Sequence, residues 1–312
     1  MNFPAQDVKA LREKTGVGMM ECKKALTEAD GDMDKAIDYL RERGLAAAQK
    51  KAARIAAEGI VLSYADDAAK KGVVIEVNSE TDFVAKNDKF VQFVTDCAKT
   101  IVATGVKTVE ELTAAEYMGT GRTVSETLND LILAIGENMK IRRFEVMEGV
   151  LATYVHAGGS VGVMVGFDVS DESKAATAEF KDMGKNVAMQ IAAMNPPYLD
   201  EASVPADVIA HEKSILASQM KEDPKMASKP EAVLEKIAAG KMGKYYKENC
   251  LVDQEFVRGD LYDGNVKGYV DSVAKALGTE IKINGFIRMT RGEGLEKRQE
   301  NFAEEIAKQI RQ

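Results

Sequence analysis

The sequence predicts an α+β protein: an N-terminal three-helix domain, a core of two related α+β subdomains, an inserted antiparallel helical-hairpin arm and a C-terminal helix. Three observations lead there. Apolar stripes of helical period, separated by glycine turns, fill the first 55 residues before any strand pattern begins. From Gly59 the apolar pattern recurs at an offset of 90 residues and, further on, of 142. The change of offset places about 52 inserted residues in the second copy, between Ile191 and Val266.

Composition narrows the function classes. At about 100–200 residues per domain, 312 residues make two or three compact units. Lys and Arg number 42 against 50 Asp and Glu, a net charge of −8. That argues against a protein that grips nucleic acid by charge over its whole surface. Two His and three Cys exclude a multi-histidine metal centre and a disulfide scaffold. Cys22, Cys97 and Cys250 are odd in number and widely spaced, so they read as small buried hydrophobes in a reducing compartment. The segment Met1-Asn2-Phe3-Pro4 lacks signal-peptide character and no run approaches 18 apolar residues. A cytoplasmic protein with no membrane partner is the expectation.

The elements follow in order. Val8 and Leu11 begin one helical stripe, Met19, Met20, Leu26 and Ala29 a second, and Met33, Ile37 and Leu40 a third. Breaks are expected at Thr15–Gly18, at Asp30-Gly31-Asp32 and at Gly44. Residues 45–58, rich in Ala with Lys50, Lys51 and Arg54, read as a linker helix with little to bury. In the core, Gly59–Tyr64 matches Gly149–Tyr154, and Gly72–Ile75 matches Gly162–Val165. Phe90, Phe93, Cys97 and Ile101 match Phe180, Met183, Val187 and Ile191. Val124, Leu128, Leu131 and Ile135 match Val266, Val270, Val273 and Leu277. Each half therefore reads strand, strand, helix, helix, strand.

In the insertion, Ile209 and Leu216, like Val208 and Ile215, stand one heptad apart, with Met220 beyond them. A tip bearing Pro224 and Pro230 follows, and Val233, Leu234 and Ile237 resume the stripe toward Met242. The tail from Gly294 reads as an amphipathic helix with Leu295, Phe302, Ile306 and Ile310. The predicted division is 1–55, 56–147, 148–290 with the arm at about 205–250, and 291–312.

Catalytic signatures are missing. Gly243-Lys244 has Ala238 where a phosphate-binding loop needs its first glycine, and no G-x-G-x-x-G occurs. His211-Glu212 has Ile215 where a zinc-binding helix needs a second His. No enzyme, cofactor or metal is expected. His156 stands in a hairpin loop, as a polar turn residue or as a side chain offered to a partner. The oddest segment is Thr81-Asp82-Phe83-Val84, between a buried strand and a helix. Phe83 either folds back as a hydrophobic staple or stands out as an interface anchor. The second copy has Ser170-Asp171-Glu172-Ser173 here, without an aromatic, which favours the anchor.

Thr15-Gly16-Val17-Gly18-Met19-Met20-Glu21-Cys22-Lys23-Lys24 and Thr81-Asp82-Phe83-Val84 together closely resemble the bacterial translation elongation factor Ts family. Ile135-Gly136-Glu137-Asn138, Ile141-Arg142-Arg143 and Gly285-Phe286-Ile287-Arg288 extend the resemblance along the chain. It implies guanine-nucleotide exchange on elongation factor Tu and an N-terminal domain of ubiquitin-associated-like fold. It further implies that Asp82 and Phe83 enter the GTPase domain beside Ile135, and that Thr81, Asp82, Phe83 and Val84 dislocate the partner's Mg²⁺. His156 would contact the partner from the second subdomain, and Met19, Met20 and Lys23 would grip another side of it. Relatives of this kind form one-to-one and two-to-two assemblies. Many carry Gly after the loop His and a basic residue three positions beyond that, where Ala157 and Ser160 stand here. A competing reading is a non-catalytic adaptor whose N-terminal domain binds peptide or ubiquitin-like partners. It leaves the unduplicated Phe83 segment without a purpose.

Overall fold

The computed structural model describes residues 3–223 and 229–296. The predicted C-terminal helix beyond Glu296 and arm residues 224–228 lie outside the described residues.

The chain opens with α1 (Ala5–Thr15), α2 (Met19–Glu28) and α3 (Met33–Lys51). Gly16 ends α1 in the left-handed region with its N–H on the Arg12 carbonyl, and the Asp32 carboxylate caps α3 by accepting from the Asp34 and Lys35 amides. Val8, Leu11, Cys22, Leu26, Ala36 and Leu40 close a small core.

Two sequence expectations are corrected here. Met19 and Met20 do not lie on the buried stripe of α2. Cys22, Ala25, Leu26 and Ala29 form that face at i, i+3, i+4 and i+7, and Met20, about 200° away around the helix, is 74% exposed. Nor does Gly44 end the third helix, which continues to Lys51. Gly44 is buried where a Cβ would stand 3.2 Å from the Asn129 carbonyl oxygen, so this glycine marks a close helix crossing instead of a stop. The Ala-rich segment is thus no free linker, since Ala48 packs on the first subdomain core.

The first half of the core runs β1 (Glu58–Asp66), β2 (Lys71–Ser79), α4 (Asp82–Ala85), α5 (Asp88–Thr104), α6 (Val109–Ala114), α7 (Val124–Ile135) and β3 (Met139–Glu148). The second runs β4 (Val150–His156), β5 (Val161–Val169), α8 (Ala178–Met194), the arm helices α9 (Ala206–Glu222) and α10 (Glu231–Asn249), α11 (Val266–Leu277) and β6 (Ile281–Thr290). β2 and β5, and α5 and α8, are displaced by 90 residues at both ends; α7 and α11, and β3 and β6, by 142. Even the bulge repeats, between Glu76 and Val77 in β2 and between Gly166 and Phe167 in β5.

Each half is an antiparallel three-stranded sheet, ordered β1-β2-β3 and β4-β5-β6. Helices cover one face of each: Phe90, Phe93 and Cys97 pack on Val73, Ile75 and Val77, and Phe180, Met183 and Val187 on Val163, Val165 and Phe167. The other faces meet through Val61, Val74, Met164, Ile287 and Met289. The central strands are therefore buried on both sides, which explains why their apolar residues run consecutively, as in Val73-Val74-Ile75 and Val163-Met164-Val165, instead of alternating. A Cβ on Gly72 would stand 2.6 Å from the Met164 methyl, and one on Gly162 2.5 Å from a Val61 methyl. These repeat-related glycines let the two sheets approach.

In the arm, Met220 and Met242 are buried between the helices, while Ile215 and Val233 stand exposed. Two helices can cover only one stripe each, so the pattern is only partly covered: Val208, Ile209, Leu216, Leu234 and Ile237 are half-buried. All three cysteines are free and buried. Burial pushes each thiol up, that of Cys250 to about 11, which makes them inert as nucleophiles at neutral pH.

Candidate functional site

The site is the turn between β2 and α5. β2 ends at Ser79, whose hydroxyl donates to the Thr81 carbonyl at 2.9 Å. Glu137, just beyond α7, holds Thr81 with both carboxylate oxygens, accepting from the Thr81 amide at 3.0 Å and from its hydroxyl at 2.7 Å. Glu80 accepts from the Asn138 amide at 2.6 Å and pairs with Arg54 at 3.4 Å. Asn138 in turn donates to the Arg54 carbonyl at 2.8 Å. Residues from three separate segments thus fix the backbone on either side of Thr81.

The single turn α4 then divides its side chains. Val84 and Ala85 point inward and join the core beneath β1 and β2. Phe83 points outward and is 80% exposed. The staple alternative is therefore excluded, and within the predicted segment Val84 is the anchor that holds the turn down. An aromatic left in water on so constrained a backbone is an unpaid apolar surface that a partner can bury. Asp82 is exposed beside it, bonded to Lys86 at 2.9 Å. That bond holds the Asp82 carboxyl below its usual range, with a smaller pull from Arg291.

The other sequence-predicted residues are placed unequally. Ile135, half-buried at the end of α7, is two residues from Glu137 and so beside the turn. His156 is exposed at the tip of the β4–β5 hairpin, with Nδ1 3.0 Å from the Tyr154 hydroxyl. This tip docks on the first half, where the Val61 amide donates to the Gly159 carbonyl at 2.8 Å. Met19 is 42% exposed, and Met20 and the half-buried Lys23 share α2 with it. These three are linked to the turn only indirectly. The Lys89 ammonium lies against Gly16, and Leu133 and Ala134 of α7 pack on the N-terminal core.

The sequence reading missed the polar centre behind the site. Glu76, fully buried in β2, accepts from Arg142 at 3.0 Å, Arg143 at 2.7 Å, Asn78 at 3.0 Å and the Gly292 amide at 2.7 Å. A lone carboxylate in the run Val73-Val74-Ile75-Glu76-Val77 was the available signal, because a buried charge must be paired. Among the described residues no cluster of three His, Cys, Asp or Glu could hold a metal ion, and no helix is long and apolar enough to cross a membrane.

Comparison with known proteins decides the family. The family model described as Elongation factor TS matches residues 80–293, from the turn to the segment that binds Glu76. The chain is 48% identical over 310 residues to Elongation factor Ts of Clostridium kluyveri, covering 98% of each chain. The chain belongs to the elongation factor Ts family. Elongation factor Ts of Clostridium novyi is 47% identical over 312 residues, and that of Magnetococcus marinus 45% over 313, each match covering 99% of both chains. The duplicated core, the N-terminal helices and the arm all lie within these matches, so nothing in the architecture stands outside the elongation factor Ts family.

Proposed function

We propose that this chain is a guanine-nucleotide exchange factor for elongation factor Tu, acting in the cytoplasm on a protein partner, without nucleic acid or membrane. Family membership supports the partner, and the observation that carries the contact is Phe83, four-fifths exposed on a pinned turn. Asp82 and Phe83 enter the GTPase domain beside Ile135, and the Thr81–Val84 turn disturbs the magnesium site. A Mg²⁺ that bridges phosphate and protein is a large part of nucleotide affinity, so displacing it weakens GDP binding. The factor must bind the nucleotide-free GTPase better than the loaded one, and by reciprocity GTP then releases the factor. No covalent bond changes, so the protein is no enzyme in the usual sense.

The N-terminal helices form a ubiquitin-associated-like domain that grips a second side of the GTPase through Met19, Met20 and Lys23, while His156 adds a contact from the second subdomain. The working division is 1–55, 56–147, 148–290 and 291–312. Catalytic amounts of the protein should accelerate release of labelled GDP from elongation factor Tu. No acceleration at micromolar concentration would overturn the proposal.

A further inference from the structure

The duplication supplies an internal control for the contacts around the site. Where the first half ends, the Gly149 amide donates to the Lys70 carbonyl at the tip of the β1–β2 hairpin, at 2.9 Å. The same bond recurs in the second half, 142 and 90 residues on, where the Arg291 amide donates to the Ser160 carbonyl, also at 2.9 Å. The fold needs only a backbone amide at this point, since Gly149 has no side chain.

Arg291 adds a guanidinium. Its Nη1 donates to the Gly59 carbonyl at 3.1 Å, and its Nη2 pairs with the Glu58 carboxylate at 2.9 Å. Glu58 and Gly59 open β1 and lie opposite Ser79 and Asn78 at the end of β2. Ser79 is the residue whose hydroxyl holds the Thr81 carbonyl. Arg291 therefore touches the His156 hairpin with its backbone and, with its side chain, the start of β1, which pairs with the end of β2 that leads to Phe83.

The hairpin tips differ in a related way. Lys70 forms an ion pair with Glu172, in the second-half turn, at the place that matches Asp82. The residue matching Lys70 is Ser160, which has no charge to offer Asp82. One turn is closed by a cation from the opposite hairpin. In the other, Asp82 bonds instead to Lys86 four residues along the same turn, and Arg291 braces the adjoining start of β1.

We infer that Arg291 is a positioning residue for exchange, locking the His156 hairpin to the Thr81–Val84 turn so that both meet one protein partner as a preformed surface. The inference rests on the exchange reading above and deepens it. A half-buried, charge-assisted pair is suited to such a lock, and a surface ordered beforehand avoids an ordering cost on binding.

The test compares full-length wild type, Arg291→Ala and Arg291→Lys by two measurements. In hydrogen exchange on the free protein, R291A should open residues 80–87 and 156–161 about tenfold more often, with residues 73–77 unchanged. R291K should fall between, because an ammonium keeps the Glu58 pair and loses the forked reach. In GDP release, R291A should raise the half-saturating concentration of factor about tenfold, with the saturating rate within about twofold. Unchanged protection of both segments would overturn the inference. So would loss of protection extending to 73–77, which would make Arg291 a general stability residue. A wild-type protein that fails to accelerate GDP release would refute the exchange reading itself, while the hydrogen-exchange measurement still decides the lock.

Discussion

Replacing Phe83 with alanine should separate interface chemistry from fold stability. Phe83 is 80% exposed, so folding hides little of its surface and truncation removes little that the native state uses. Its neighbours Val84 and Ala85 keep the turn on the core, and Thr81 stays bonded to Glu137. The expected change in unfolding free energy lies within about 0.5 kcal/mol, the range of an exposed substitution. Against a partner the ledger differs. Burying the ring removes about 150 Å² of surface, which at about 25 cal/mol/Å² sets an upper scale near 4 kcal/mol. Ordering and desolvation costs reduce this, leaving about 2 kcal/mol, a common cost for truncating a central aromatic anchor. That corresponds to about thirtyfold weaker binding to nucleotide-free elongation factor Tu, and exchange at sub-saturating factor should slow in proportion. Stopped-flow release of fluorescent GDP measures the second quantity and urea unfolding the first. An unchanged exchange rate would refute the anchor role. A stability loss above about 2 kcal/mol would show instead that the ring behaves as a core residue.

Two further perturbations probe what holds the turn. Glu76→Gln leaves Arg142 and Arg143 without their buried counter-charge, and should cost about 3 kcal/mol at neutral pH by urea unfolding. Burial pushes the Glu76 carboxyl up, but the Gly292 amide, Asn78, Arg143 and Arg142 outweigh burial and hold it below its usual range. A depressed carboxylate contributes stability that is present above its unfolded value of about 4.3 and lost as pH falls through the lower folded value. Wild-type stability should therefore decline more steeply than that of E76Q below about pH 4, and parallel profiles would exclude the linkage. Glu137→Ala frees the amide and hydroxyl of Thr81. Global stability should fall by only about 1 kcal/mol, while GDP release slows and proteolysis near residues 80–87 quickens. Wild-type rates in both assays would show that Glu137 does not set the turn.

The sequence by itself determined the duplication, the insertion and the order of the strands and long helices in each half of the core, though not the short helices α4 and α6. These rest on period and offset, which a linear chain carries in full: the repeated bounds of β2 and β5 and of α7 and α11 fall at the displacements read from apolar matches alone. It also marked Phe83 as surplus to the fold, because the second copy does without an aromatic there. Only the tertiary structure decided which apolar residues face water. Met20 and Ile215 sit in helical patterns as apolar as those of Leu26 and Leu216, and what lies opposite each helix face separates them. Nor is Gly44 legible as a crossing point, since the backbone it admits belongs to Asn129. The bonds that hold the site join residues far apart in sequence: Glu76 to Gly292, Thr81 to Glu137, Arg291 to Gly59. The first and the last depend on two sheets packing face to face, and Thr81 meets Glu137 only once α7 packs on the first sheet, geometries that periodicity within one segment does not encode.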